Sequence, residues 1–252
     1  MAGRPRGIDD VVILRAATEV IGRVGPAGLT LAAVAREVGL VPGTLVQRFG
    51  SKRGLLLALA DRSVEDADAL AARVRQEHAS PLGALVALTV ESAAPMATPE
   101  SFANHLAFLC LDLTDPELHE RALAVHWAQG RAVEALLAEA VAAGELSAGT
   151  DVRALAGSVR TVTAGAGLTW ALDRRGTLAQ RLRQELATAV APHLAPREEP
   201  RRPHGSGRSD DHVEPHGSGR SDDHVELHGS GRSDNHVEPH QSQHHHDHPE
   251  ES

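Results

Sequence analysis

The chain of 252 residues contains no tyrosine, three phenylalanines, two tryptophans, one cysteine and a single lysine, Lys52. One thiol, Cys110, excludes an internal disulfide framework and any CxxC metal or redox motif. No run of 18 apolar residues is present to span a bilayer. The N-terminus opens with Arg4-Pro5-Arg6 and then Asp9-Asp10, which is not the charged-then-apolar pattern of a signal peptide, so a cytoplasmic location with no membrane partner is expected. GxSxG, phosphate-loop and HExxH motifs are also missing, and the expectation is that the protein is not an enzyme. Consecutive alternating strands rich in β-branched residues are absent, whereas Ala, Leu and Arg abound, so the fold class expected is all-α.

The composition is uneven along the chain. Residues 197–252 include four hydrophobic residues (Val213, Val225, Leu227 and Val237) but 11 of the 16 histidines. Such a segment cannot bury enough apolar surface to offset the entropy of ordering it, and a disordered tail is expected there. Charge divides the same way. Residues 1–53 carry 8 Lys+Arg against 4 Asp+Glu, residues 54–196 carry 11 against 17, and the tail carries 6 against 13. A basic head on an acidic chain points to a polyanionic partner. Three segments follow: a head over 1–53, a helical body over 54–196 and the tail over 197–252.

Within the head, Asp9 and Asp10 begin a helix that runs to Val24, its stripe of Val12, Ala16 and Val20 following i, i+4 spacing. Gly25-Pro26-Ala27-Gly28 ends it. Thr30 sits where an N-cap belongs, ahead of a short helix closed by Gly39. Pro42 suits the first turn of the next helix, which extends to Phe49, and Ser51 can cap a long fourth helix reaching towards His78. Two short helices joined by a glycine-containing turn make a helix-turn-helix, whose second helix fits the DNA major groove.

The strings Ile13-Leu14-Arg15-Ala16-Ala17, Gly28-Leu29-Thr30-Leu31, Ala35-Arg36-Glu37-Val38-Gly39-Leu40 and Pro42-Gly43-Thr44-Leu45-Val46-Gln47-Arg48-Phe49-Gly50-Ser51-Lys52 resemble the TetR family of bacterial transcriptional regulators. The resemblance implies a homodimer whose subunits join a three-helix DNA-binding head to a larger ligand-binding and dimerisation body. It also implies a repressor released from operator DNA by a small-molecule effector. Carried over by position, Thr30, Pro42, Gly43, Thr44, Gln47, Arg48 and Lys52 form the DNA-binding set. Val46 stands where the family commonly has a tyrosine, and a valine cannot hydrogen-bond to phosphate. Gly54 replaces a residue that favours helix more strongly. Arg4 and Arg6, on a glycine-flanked arm, suit a narrow minor groove, although an ordinary terminus with incidental arginines fits equally.

Prolines 81, 95, 99 and 116 punctuate the body into expected helices near 80–94, 99–112 and 115–143, followed by helices at 151–173 and 177–194. By the resemblance, Phe102, His105, Phe108, Cys110, His126 and Trp127 are pocket candidates. Core packing is the other role open to the same side chains. The last two helices of such a body pair across a dimer, which puts Leu155, Val159, Val162, Trp170, Leu178, Leu182, Leu186 and Val190 at the interface. Gly165 and Gly167 would let helices approach closely.

The tail repeats a 12-residue unit three times, at 204–215, 216–227 and 228–239, varying only at Leu227 and Asn235. His212, His216, His224, His228, His236 and His240, with His244, His245, His246 and His248, form a potential ligand set for zinc, nickel, copper or cobalt. No cofactor is required by this reading. The alternative function is metal-responsive regulation or metal buffering through the tail.

Overall fold

The computed structural model describes residues 8–196. Their helix starts are set by local chemistry. Asp9 opens α1 (Asp10–Gly28) by accepting from the Val11 amide, and Thr30 opens α2 (Leu31–Glu37) by accepting from Ala33. Proline fills the first turn of α3 (Pro42–Phe49), α5 (Pro81–Ser92), α6 (Pro99–Thr114) and α7 (Pro116–Ala142), where its missing N–H costs nothing. Ser51, Asp151 and Thr177 cap α4 (Lys52–Glu77), α8 (Val152–Asp173) and α9 (Leu178–Val190). The all-α fold class expected from the sequence is the one observed, with nine α-helices and no strand among the described residues.

Two ends differ from expectation. Helical hydrogen bonding in α1 resumes beyond a break at Gly25 (φ 69°, ψ 173°) and runs to Gly28. The last helix stops at Val190, short of Leu194, because Pro192 lies in a following 3₁₀ turn and Leu194 bridges to Leu146. The Ser147 amide donates to His193 O at 2.9 Å, and Ala195 donates to Glu145 O at 3.1 Å.

Three hydrophobic clusters hold these helices. The head's core gathers Ile13, Ala17 and Ile21 of α1, Val34 of α2 and Leu45 of α3 around Leu55, Leu56, Leu59 and Ala60. Its closure therefore uses the first turns of α4, beyond the segment 1–53 drawn from the sequence. The body's core packs Val74, Leu85, Leu137, Leu155, Val159 and Leu186. Trp170 leads a third cluster with Ala166, Leu178 and Leu182, and the Phe102 ring meets its indole edge-on at 6.3 Å.

Gly54 is fixed by the turn that aims α3. A Cβ at this position would lie 2.0 Å from the Phe49 carbonyl oxygen, so the chain can pass from α3 through Gly50 (φ 72°) into α4 only with a bare α-carbon. Gly43, on the surface of α3, meets nothing within 4 Å. Gly54→Ala is expected to lower stability by about 1–3 kcal/mol through overpacking. Gly43→Ala should raise it by about 0.5–1 kcal/mol through helix propensity. Urea unfolding of both variants checks this pair.

Candidate nucleic-acid interface and ligand cavity

Leu45, fully buried, pins α3 to the head and turns the opposite side of the helix outward. Pro42, Gly43, Val46, Gln47 and Arg48 are exposed and Thr44 is half-buried, so one helical face presents short polar and apolar groups of the kind that read base edges. The bracing is ionic. Arg23 of α1 pairs with Glu37 of α2 at 2.5 Å, which holds that carboxylate below its ordinary range, first through the hydrogen bond.

Arg48 and Lys52, two of the four cations placed at the DNA from the sequence, are engaged within the chain. Arg48 Nη1 donates to Ile8 O at 2.5 Å and to Asp10 at 2.8 Å, tying the end of α3 to the start of α1. Lys52 Nζ donates to Pro26 O at 2.5 Å and Ala27 O at 3.3 Å, so it caps carbonyls just past the break in α1. Thr30 spends its hydroxyl lone pair on its own helix. Arg4 and Arg6 lie outside the described residues, as do all ten tail histidines named above. Among the described residues no three His, Cys, Asp or Glu side chains gather closely enough to hold a metal ion.

One connection between head and body was missed in the sequence. Pro26 has no N–H to give the Gly22 carbonyl, and Asn104 of α6 supplies one at 2.9 Å. The Asn104 side chain also lies against Gly25, 2.9 Å from where a Cβ would stand, and His105 packs on Gly22. The signal was present as a proline four residues after a glycine, but nothing in the sequence names the donor. Arg53 adds a second tie, to Asp115 at 3.0 Å and Glu117 at 2.9 Å.

Of the pocket candidates, only Phe108 and His126 line a cavity. It occupies about 250 Å³ between α4, α6 and α7, and its other walls are Ala60, Ser63, Leu109, Asp112, Ala122, Val125 and Gln129. Phe102 packs against Trp170 and Gly167, His105 against Gly22, and Cys110 and Trp127 are exposed. Asp112 was not singled out from the sequence. Its Oδ1 is buried without a hydrogen-bond partner, and burial pushes its carboxyl from the ordinary 3.8 up to about 6. Burial, and then the charge of Arg160, holds the His126 imidazole below its usual value, so the ring stays neutral near pH 7. A larger open cleft of about 930 Å³ lies between α1, α4 and the start of α6; of its three arginines, Arg23 pairs with Glu37 and Arg62 with Glu65 and Asp66, while Arg15 lines it without an ion pair among the described residues.

The dimer candidates need a correction of face. Leu155, Val159, Trp170, Leu178, Leu182, Leu186 and Val190 are buried in their own subunit, and Val162 is half-buried. Apolar i, i+4 spacing marks the stripe that packs within the chain. The opposite side of α8 is exposed along Ala154, Gly157, Ser158, Thr161, Ala164, Gly165, Leu168, Thr169 and Leu172, with the exposed charges of the helix, Arg153 and Asp173, at its two ends. Gly167, grouped with Gly165 from the sequence, instead gives room to the Phe102 ring.

Residues 13–59, which span this head, match the sequence profile of bacterial regulatory proteins of the tetR family. The head is a tetR-family domain. The whole described fold agrees with that assignment. A tetR-family transcriptional regulator from a Rhodococcus species is similar at 20% identity, with a TM-score of 0.56 over 74% of this chain and 98% of its own. SmeT, the repressor of the Stenotrophomonas maltophilia multidrug efflux pump SmeDEF, aligns at 18% identity and TM-score 0.54, covering 75% of this chain and 91% of that one. A transcriptional regulator from Saccharomonospora viridis, solved in complex with choline, aligns at 20% identity and TM-score 0.59, covering 75% and 98%. No curated protein matches the chain. These neighbours share the all-helical fold of the described residues, and no helix of the described residues is long and apolar enough to cross a membrane.

Asp112 gives a pH dependence with a definite sign. Its folded carboxyl binds a proton more tightly than the unfolded one, so its cost is nil below about pH 4, grows between about pH 4 and 6 and is constant above that. Asp112→Asn, permanently neutral, should melt above the wild type at pH 7.5 and with it at pH 4. Calorimetric scans at the two values check the crossover.

Proposed function

We propose that the protein is a homodimeric repressor whose grip on operator DNA is released by a small molecule bound in the helical body. The observation that carries this reading is the position of α6. Its Phe108, Leu109 and Asp112 form one wall of the cavity, and its Asn104 holds the Gly22 carbonyl of the DNA-binding head. A molecule that displaces α6 therefore acts on α1, and through α1 on the orientation of α3. The repressor role described for SmeT and the choline complex of the Saccharomonospora viridis regulator fit such a scheme.

Dimerisation follows from two considerations. One recognition helix covers only a few base pairs, and two of them spaced one DNA turn apart, about 34 Å, read a palindrome with the required specificity. The outer face of α8, uncharged between Arg153 and Asp173 at its ends, supplies the surface. Gly157 and Gly165 meet nothing within 4 Å, so a second helix can approach their backbone, and Leu168 and Leu172 stand 49% and 78% exposed beside them. The proposed interface is this face, with Gln184, Ala187 and Thr188 on the exposed side of α9.

In this reading Thr44 and Gln47 contact bases, while Arg48 and Lys52 set the pose of α3 from within. An operator can be selected from random DNA and used in titrations. Thr44→Ala with Gln47→Ala should weaken that operator at least about tenfold and leave non-specific binding unchanged, since each base contact is worth about 1–3 kcal/mol. Unaltered operator affinity would remove α3 from the base-reading role. Gly165→Glu puts two like charges against each other at the symmetric contact. Sedimentation equilibrium should find the variant monomeric and titration should find its operator affinity reduced, whereas a persistent dimer would rule out this face of α8.

A further inference from the structure

The interior has a gap. On α4 the buried residues end at Ala60 and resume only at Val74, and on α7 they lapse between Leu118 and Ala128. Helix α6 closes the space between these stretches, yet none of its 16 residues is fully buried, although it carries Phe102, Leu106, Phe108, Leu109, Leu111 and Leu113. The cavity of about 250 Å³ sits in this unfilled region, so it is built by the failure of the head core and body core to meet.

Into this apolar space the chain places one carboxylate. Asp112 Oδ1 is shielded from solvent and accepts no hydrogen bond, an arrangement that costs free energy unless a donor or cation completes it. Arg121 and Arg160 are already engaged, the second on His126 of the cavity wall. Arg121 donates to Asp61 at 2.6 Å and to Glu117 O, and Arg160 donates to His126 and to its carbonyl oxygen at 3.2 Å. Ser63 turns its hydroxyl hydrogen to Leu59 O and leaves lone pairs for the cavity. The His126 ring, neutral, adds no positive charge to the wall. Phe108 offers an aromatic ring, whose face attracts cations. The unpaired carboxylate therefore favours a positive guest over an anion, while Gln129 offers a carboxamide that can donate or accept.

We propose that the cavity between α4, α6 and α7 binds a small organic ammonium ion, with Asp112 as its counter-charge and Phe108, Leu109, Ala122 and Val125 as its apolar enclosure. This names the chemical class of the effector and rests on the reading of the protein as an effector-released repressor. The ion pair forms only with the guest in place, so its gain is realised in the bound state. Because Asp112 and Asn104 share α6, the same ion pair pulls on the helix that holds Gly22.

The test is calorimetric titration of the full-length protein with cyclohexylammonium, its neutral counterpart cyclohexanol, the anion cyclohexanecarboxylate, and tetramethylammonium. Cyclohexylammonium should bind about tenfold or more tightly than cyclohexanol, the worth of a hydrogen bond to a charged group, and the carboxylate should bind most weakly. Binding of tetramethylammonium would extend the preference to cations without an N–H. Asp112→Asn should erase the difference between cation and alcohol. Ala122→Phe, which fills the cavity and keeps the carboxylate, should abolish binding of both and serves if Asp112→Asn does not fold. Equal or tighter binding of cyclohexanol, or a cation preference that survives Asp112→Asn, overturns the proposal. Operator titrations run alongside separate the two ideas. Cation-selective binding that leaves operator affinity unchanged supports the site and sinks the repressor mechanism. Operator release by cyclohexanol with no cation preference overturns the ion-pair proposal and leaves the repressor mechanism standing.

Discussion

The carbonyl group of Gly22 loses its helical donor because residue 26 is a proline, and the N–H that replaces it comes from Asn104, 82 residues along the chain. A buried carbonyl deprived of its partner must find another or pay its desolvation cost. That one requirement docks the head on α6. The carbonyls of Pro26 and Ala27, past the break, are met in turn by the single lysine of the chain. A local interruption in α1 is thereby converted into two long-range contacts, one to the body and one to the start of α4, and the orientation of α3 inherits both.

The same helix that answers Gly22 is the one α-helix among the described residues without a fully buried residue. Helix α6 reaches the head through its first half and walls the cavity through its second, and it contributes nothing to the fully buried cores on either side. Poor burial leaves a helix little penalty for small shifts, as the proposed response of α6 to a guest requires. The charged ties from Arg53 to Asp115 and Glu117, at the junction of α6 and α7, are solvent-exposed and weak individually. Geometry more than energy is their contribution.

Much of the fold could be read directly. Capping residues and N1 prolines mark helix starts by chemistry internal to a few residues, so the bounds of α3, α4 and α8 fell within two residues of expectation. The pair of short helices, α2 and α3, was legible for the same reason. Legibility failed where one residue has two physical roles open to it. A basic side chain near a helix-turn-helix can neutralise phosphate or cap a carbonyl, and Arg48 and Lys52 do the second here. An apolar stripe in α8 reports burial but not which neighbour provides it, and Leu155, Val159 and Trp170 are buried by their own subunit. Asp112 passed unnoticed because an isolated aspartate has no pattern.

The sequence by itself determined the all-helical class, the placement of the helix-turn-helix and the division into a basic head, an acidic body and a histidine-rich tail, since propensity, capping and charge are properties of neighbouring residues. Only the tertiary structure decided which carbonyl Asn104 and Lys52 would satisfy, which side of α8 would stay open, and that a carboxylate would face an apolar cavity. Those outcomes depend on residues brought together from distant parts of the chain, and a buried polar group acquires its meaning from what surrounds it in space.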